Sequence, residues 1–243
     1  FLLQVMWAWP KAISAALPAC AQIVFAGVGK TDKEILNALQ HDIFCFNVES
    51  VEELRIINEL AASQQKTALI AIRINPNVDA KTHQYITTGL EENKFGVNAW
   101  ELNDCIEVLK QSPNIELIGI HFHVGSQVKD LDVFKSLCLK VNEFNTWFAD
   151  RGFNLRVLNV GGGLGVDYYN PDEQPMVDFK AYFAIFDQFL ERKKGQEVHF
   201  ELGRSLVAAC GTLISRVLYI KKGLKKNFMI LDAGMTELMR PAL

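Results

Sequence analysis

Four glycines in five positions follow an apolar run in Asn159-Val-Gly-Gly-Gly-Leu-Gly165, where Val157, Leu158 and Val160 lead straight into the loop. A buried strand ending in bare backbone lets main-chain N–H groups approach a ligand and take up φ > 0, which makes a natural phosphate cradle. A tight structural turn is the plainer use of the same residues. A dinucleotide fingerprint needs G-x-G-x-x-G opening a helix, whereas Gly161, Gly162, Gly163 and Gly165 lead into Val166-Asp-Tyr-Tyr169, so a nicotinamide cofactor is disfavoured. His121 and His123 share a face at period two, just before Gly125-Ser126. The pair and the turn together point to a ligand contact, and no His-x-x-x-His or cysteine partner completes a zinc set. Glu201-Leu202-Gly203-Arg204 puts an acid and a base after another apolar run, either as a surface ion pair or beside whatever the glycines hold.

These groups need elements to hold them. Apolar runs at 22–26, 43–47, 67–74, 115–123, 155–160 and 197–201 read as six strands. Helix-length segments separate them, two with capping boxes, Thr31-x-x-Glu34 and Ser50-x-x-Glu53. The helix over 130–151 carries Phe134, Leu137, Val141, Phe144 and Phe148 at helical spacing, and further helices are expected over 12–21, 98–111 and 177–193. Strands alternating with helices predict parallel βα units, and strands apolar almost throughout predict a sheet covered on both faces. Polar residues collect at the strand ends: Arg73 and Asn75, then His121, His123 and Ser126, then the glycines, then Glu201 and Arg204. In a parallel α/β barrel that face carries the chemistry. From 212 the rhythm changes to a hairpin, 212–221 and 227–232, with no helix between.

A net charge of −3, from 25 basic and 28 acidic residues with no long basic run, gives no electrostatic footprint for nucleic acid. Five scattered cysteines without a C-x-x-C pair predict reduced thiols in a cytoplasmic protein. There is no run of 18 apolar residues, so no membrane span is expected. The apolar opening 1–9 lacks the basic lead of a signal peptide.

His121-Phe-His-Val-Gly-Ser-Gln127, 159–168, Glu201-Leu-Gly-Arg-Ser205 and Asp232-Ala-Gly-Met-Thr-Glu-Leu-Met-Arg-Pro-Ala-Leu243, with Arg73-Ile-Asn-Pro and Asn93-Lys-Phe-Gly96, together resemble diaminopimelate decarboxylases of the alanine-racemase-like class of pyridoxal phosphate enzymes. The resemblance implies a (β/α)8 barrel followed by a β domain. On this chain it divides into 1–22, outside the likeness; 23–210, a partial pyridoxal-phosphate-binding barrel; and 211–243, the start of the β domain. It implies pyridoxal 5'-phosphate held by Gly161, Gly162, Gly163, Ser126 and the backbone of Leu202, Gly203 and Arg204. His123 would stack on the pyridine ring, Glu201 would meet its nitrogen and Arg73 would lie near its phenolic oxygen. Arg204 and Arg240 would contact the carboxylates of a small amino-acid substrate, meso-diaminopimelate, decarboxylated to lysine. A homodimer is implied for the complete enzyme.

Some features depart from the pattern. No Ala-Val-Lys-Ala-Asn-like motif carries the Schiff-base lysine, and Lys30 reads as an exposed residue at a helix start. Two of eight barrel strands are expected to be missing, as are the C-terminal Cys-Glu motif and two tyrosines, so this chain alone is expected to be inactive. Leu202 stands where most members have proline. Decarboxylases of ornithine, arginine or carboxynorspermidine, and a non-catalytic cofactor- or partner-binding protein, are the alternative readings.

Overall fold

The structure, a computed structural model, describes residues 3–5, 21–78, 94–173 and 176–238. Seven strands stand side by side in chain order: β1 (Leu3–Val5), β2 (Ile23–Phe25), β3 (Cys45–Val48), β4 (Ala68–Arg73), β5 (Ile115–His121), β6 (Val157–Asn159) and β7 (Glu197–His199). Every neighbouring pair is parallel. The sheet is an incomplete (β/α)8 barrel, one strand larger than the six marked by apolar runs, because β1 lies in the opening segment.

Helices α1 (Asp32–Gln40), α2 (Val51–Ser63), α3 (Leu102–Lys110), α4 (Asp132–Ala149) and α5 (Phe179–Phe189) fill the connections from β2 to β7. The capping box of α1 forms as expected: Thr31 Oγ1 accepts the Glu34 N–H, and Glu34 accepts the Thr31 N–H at 2.9 Å. Ser50 caps α2, but Glu53 is drawn elsewhere, as described below. The helix expected over 12–21 lies, but for Ala21, outside the described residues.

Strand alternation, interrupted in β5 by a register shift where Ile70 pairs with Leu117 but Ala71 with Gly119, sorts the side chains. On the convex face Phe25, Phe46, Ile72, Ile120 and Leu158 pack against the helices, including the buried stripe Phe134, Leu137, Val141, Phe144 and Phe148 of α4. On the concave face Val24, Cys45, Ala71, Ile118 and Val157 form a separate, smaller apolar cluster. Two positions further along β3, β4 and β6, in period-two register with Cys45, Ala71 and Val157, come Asn47, Arg73 and Asn159, all buried. After a short helix, α6 (Arg204–Val207), the antiparallel pair β8 (Val217–Lys222) and β9 (Asn227–Leu231) forms a two-stranded sheet whose residues are all exposed. No helix among the described residues is long and apolar enough to cross a membrane.

Lys30 corrects an expectation. Instead of standing exposed at a helix start, its side chain is 1% exposed. Its ammonium donates to Glu53 Oε1 at 2.5 Å and to the carbonyls of Gly27 and Asn47, both at 2.8 Å. Three oxygens replace the water that burial removes, which makes a buried lysine tenable.

The 161–163 loop is wedged between neighbouring main chains. A Cβ on Gly161, which has φ +71°, would overlap the carbonyl of Phe122; one on Gly162 would overlap the carbonyl of Glu201; one on Gly163, φ +101°, would overlap that of Gly125. Around Gly203 a Cβ would meet nothing within 4 Å. Gly162→Ala is therefore expected to destabilise the chain by about 2 kcal/mol or more through a backbone clash. Gly203→Ala is expected to stay within about 0.5 kcal/mol of the parent, both read from urea unfolding.

Candidate active site

The register sets a polar ring above the concave apolar cluster. Arg73 lies opposite His121, His121 opposite Asn159, and Asn159 opposite His199. The chain beyond β7 is pinned by the Glu201 N–H, which donates to the Gly161 carbonyl at 2.7 Å. Glu201 thereby points its carboxylate at the ring of polar groups. Oε1 accepts from Asn159 Nδ2 at 2.8 Å and from Asn47 Nδ2 at 3.5 Å; Oε2 accepts from His121 Nε2 at 3.2 Å. Burial alone would raise its pKa, but His121, His123 and the Asn159 amide outweigh burial and bring it down to about 2.

His123 is the complement of this acid. Its Nδ1 accepts the Gly162 N–H at 3.5 Å. Burial, the nearby Arg73 charge and His121 push its pKa down to about 4 against the pull of Glu201. At neutral pH it is an uncharged imidazole, suited to lie against a flat ring.

Arg73 is held by Glu49, a residue the sequence reading did not single out. Arg73 Nη1 donates to both Glu49 oxygens, at 2.9 and 3.1 Å, within a nearly dry pair. The same carboxylate accepts the N–H groups of Gly27 and Gly96, each at 3.0 Å. Glu49 N–H donates to Glu53 at 2.8 Å, which links this cluster to Lys30. The guanidinium also sits 4.8 Å from the centroid of the Phe95 ring. The only sequence signal for Glu49 was a carboxylate placed just past an apolar run.

Arg204 reaches across to the β5 loop, where Nη2 donates to Ser126 Oγ at 3.0 Å, and Nη1 donates to Tyr168 Oη at 2.9 Å. Both partners are neutral, and among the described residues no carboxylate lies in salt-bridge range of Arg204. Leu202 is half-buried against the main apolar core, while Gly203 faces open space. Gln127, at φ +63°, clamps the far side of the glycine loop: its amide donates to the Val166 carbonyl at 2.6 Å and accepts the Val166 N–H at 3.2 Å. Arg240 lies outside the described residues.

His123, Ser126, Gly161, Gly162, Gly163, Glu201 and Arg204 are thus brought to one face, with Arg73 beside them on β4. The donor set fits pyridoxal phosphate: an ionised acid for a ring nitrogen, an uncharged imidazole for the ring face, and a guanidinium with no acid partner among the described residues for an anion. The glycines are less free than expected. The Gly161 N–H is bonded to Asn159 Oδ1 at 2.9 Å and the Gly165 N–H to the Val128 carbonyl at 2.8 Å, so close packing accounts for much of the glycine run.

Residues 11–208 match the family described as pyridoxal-dependent decarboxylase, pyridoxal binding domain. The diaminopimelate decarboxylase of Bacteroides thetaiotaomicron is 53% identical over 232 residues, 96% of this chain and 60% of that protein. A crystal structure of the Helicobacter pylori diaminopimelate decarboxylase with L-lysine superposes with a TM-score of 0.88 at 40% identity, covering 99% of this chain and 60% of that one. The corresponding M. jannaschii complex gives 0.77 at 37% identity, over 91% and 52%. The chain spans 60% or less of the length of these relatives. With the family match extending over most of the chain, it belongs to the pyridoxal-dependent decarboxylases and carries their pyridoxal-binding domain.

Proposed function

We propose that the protein to which this chain belongs decarboxylates meso-2,6-diaminopimelate to L-lysine and CO2 with pyridoxal phosphate. The buried, ionised Glu201 carries the reading, because a carboxylate at about pKa 2 keeps a ring nitrogen protonated across the physiological range. The bound cofactor supplies the sink for the electron pair left at Cα when CO2 departs. The residues of the chain do the rest. With the cofactor bound, Glu201 would hold the ring proton, His123 would support the ring face, and Arg73, fixed by Glu49, would serve the phenolic oxygen. Ser126 and the 161–163 loop bind phosphate together with the backbone of Leu202 and Gly203. Arg204 and Arg240 take the substrate's carboxylates. A largely apolar cleft of about 1080 Å³, lined in part by Gln127, Lys129, Tyr168 and Tyr169, adjoins Arg204 through its hydrogen bond to Tyr168.

The relatives named as diaminopimelate decarboxylases and solved with L-lysine favour this substrate. We further infer a homodimer for the complete enzyme, with residues 211–243 opening its β domain. Free thiols at Cys45, Cys105, Cys138 and Cys210 support a cytoplasmic setting, and the net charge of −3 supports no role with nucleic acid.

Three measurements test the reading. In the complete enzyme, Arg204→Ala is expected to lower kcat/KM for diaminopimelate about 100-fold by deleting a charge-assisted contact, in a CO2-release assay. Faster release from ornithine or arginine than from diaminopimelate overturns the substrate. In this chain, pyridoxal phosphate followed by borohydride is expected to leave Lys30 unmodified, because its ammonium is fully engaged; a reduced adduct on Lys30 in a peptide map contradicts that. His123 supplies the third. Its folded pKa of about 4 lies below the unfolded value of about 6.5, so the unfolded chain takes up its proton first as the pH falls. Its contribution to stability is complete above about pH 6.5 and is lost progressively toward pH 4. His123→Gln is expected to flatten that part of the stability–pH curve in urea titrations.

A further inference from the structure

We propose that His121 is a positioning residue, whose Nε2–H joins the side-chain amides of Asn47 and Asn159 in keeping Glu201 ionised and aimed at the ring nitrogen of the cofactor. The inference rests on the pyridoxal phosphate reading above.

A carboxylate can only accept, so the 3.2 Å contact requires the proton on Nε2. The other ring nitrogen, Nδ1, is buried and has no hydrogen-bond partner among the described residues. The imidazole, 1% exposed, therefore leaves one nitrogen unmet while the other serves Glu201, a poor bargain for a residue kept only to fill space.

The two amides are oriented for the same contact. Asn159 Oδ1 accepts the Gly161 N–H at 2.9 Å, so its NH2 must face Glu201 at 2.8 Å. Asn47 Oδ1 faces the Cys45 thiol at 4.0 Å, which turns its NH2 the same way. The three donors come from β3, β5 and β6, at separations of 154, 80 and 42 residues from Glu201. The other titratable groups facing the carboxylate are His123, two residues past β5, and Cys45 on β3. The Cys45 thiol is pushed up to about 12 by burial first and then by the charge of Glu201, so it stays protonated. None of these neighbours replaces the His121 hydrogen bond to Oε2.

Removing a donor to the charged form raises a carboxyl pKa. The test uses the whole 243-residue chain, without cofactor, labelled with ¹³C at glutamate side-chain carboxyls and assigned through Glu201→Gln. His121→Leu is expected to raise the Glu201 titration by about one unit, while His121→Gln, which keeps an N–H donor, stays near the parent. Should His121→Leu fail to fold, Asn159→Leu reads the same set of donors and is expected to rise likewise. A Glu201 titration unchanged in the leucine variants overturns the proposal. So does an equal rise in His121→Gln and His121→Leu, which marks a general packing effect. A parallel arm follows binding of pyridoxal phosphate by its fluorescence, with Glu201→Gln expected to bind about 10-fold more weakly. Equal cofactor binding by Glu201→Gln, together with the expected carboxyl shifts, refutes the ring-nitrogen reading and leaves the role of His121 in ionising Glu201 intact.

Discussion

The carbonyl oxygens of Phe122, Gly125 and Glu201 occupy the space where side chains of residues 161–163 would stand. Because those residues have no side chains, the ends of β5, β6 and β7 approach to backbone contact, and the Glu201 N–H closes on the Gly161 carbonyl. That contact sets the height of Glu201 relative to His121 and Asn159, which are already level with each other through strand pairing. A bulkier loop would separate the acid from its donors even with every strand in register. The loop's closeness is thus as much a condition for the acid site as for any phosphate.

The other half of the polar ring is organised by charge rather than by missing volume. Glu49 draws together the ends of β2, β3 and β4 by accepting from Gly27, Gly96 and Arg73, and Glu53 ties Lys30 into the same cluster. Two cations and two carboxylates offset one another in nearly dry surroundings, which lets Arg73 remain fixed and charged. Glu201 differs in being met mainly by dipoles and imidazole. One side of the mouth is close to neutral and the other carries an acid held by hydrogen bonds.

Much of this was legible in the chain. Unbroken apolar runs marked six strands because strands covered on both faces admit few polar residues. The Thr31-x-x-Glu34 box and the α4 stripe fixed two helices through local rules that tertiary packing did not override. The grouping of His123, Ser126, the glycines, Glu201 and Arg204 followed from their common place at strand ends. The misses share a cause. β1 has three residues and too little pattern to count, while Lys30 and Glu49 owe their positions to partners as far as 23 and 47 residues away. A lysine after Gly-Val-Gly looks exposed until α2 supplies Glu53. His121 drew notice as half of a pair, but its separate duty depends on Glu201, 80 residues on.

Beneath the polar ring lies the floor of Val24, Cys45, Ala71, Ile118 and Val157, small side chains with almost no polar atoms. Such a floor is poorly polarisable, whereas the mouth above opens toward water, so the surroundings of Glu201 are dielectrically lopsided. Field lines from a charge in that position are turned away from the floor and concentrated through the opening. A cationic ring nitrogen arriving from the mouth would feel the acid before making contact with it. The plainest residues of the barrel interior thereby act as a reflector that gives the site its direction.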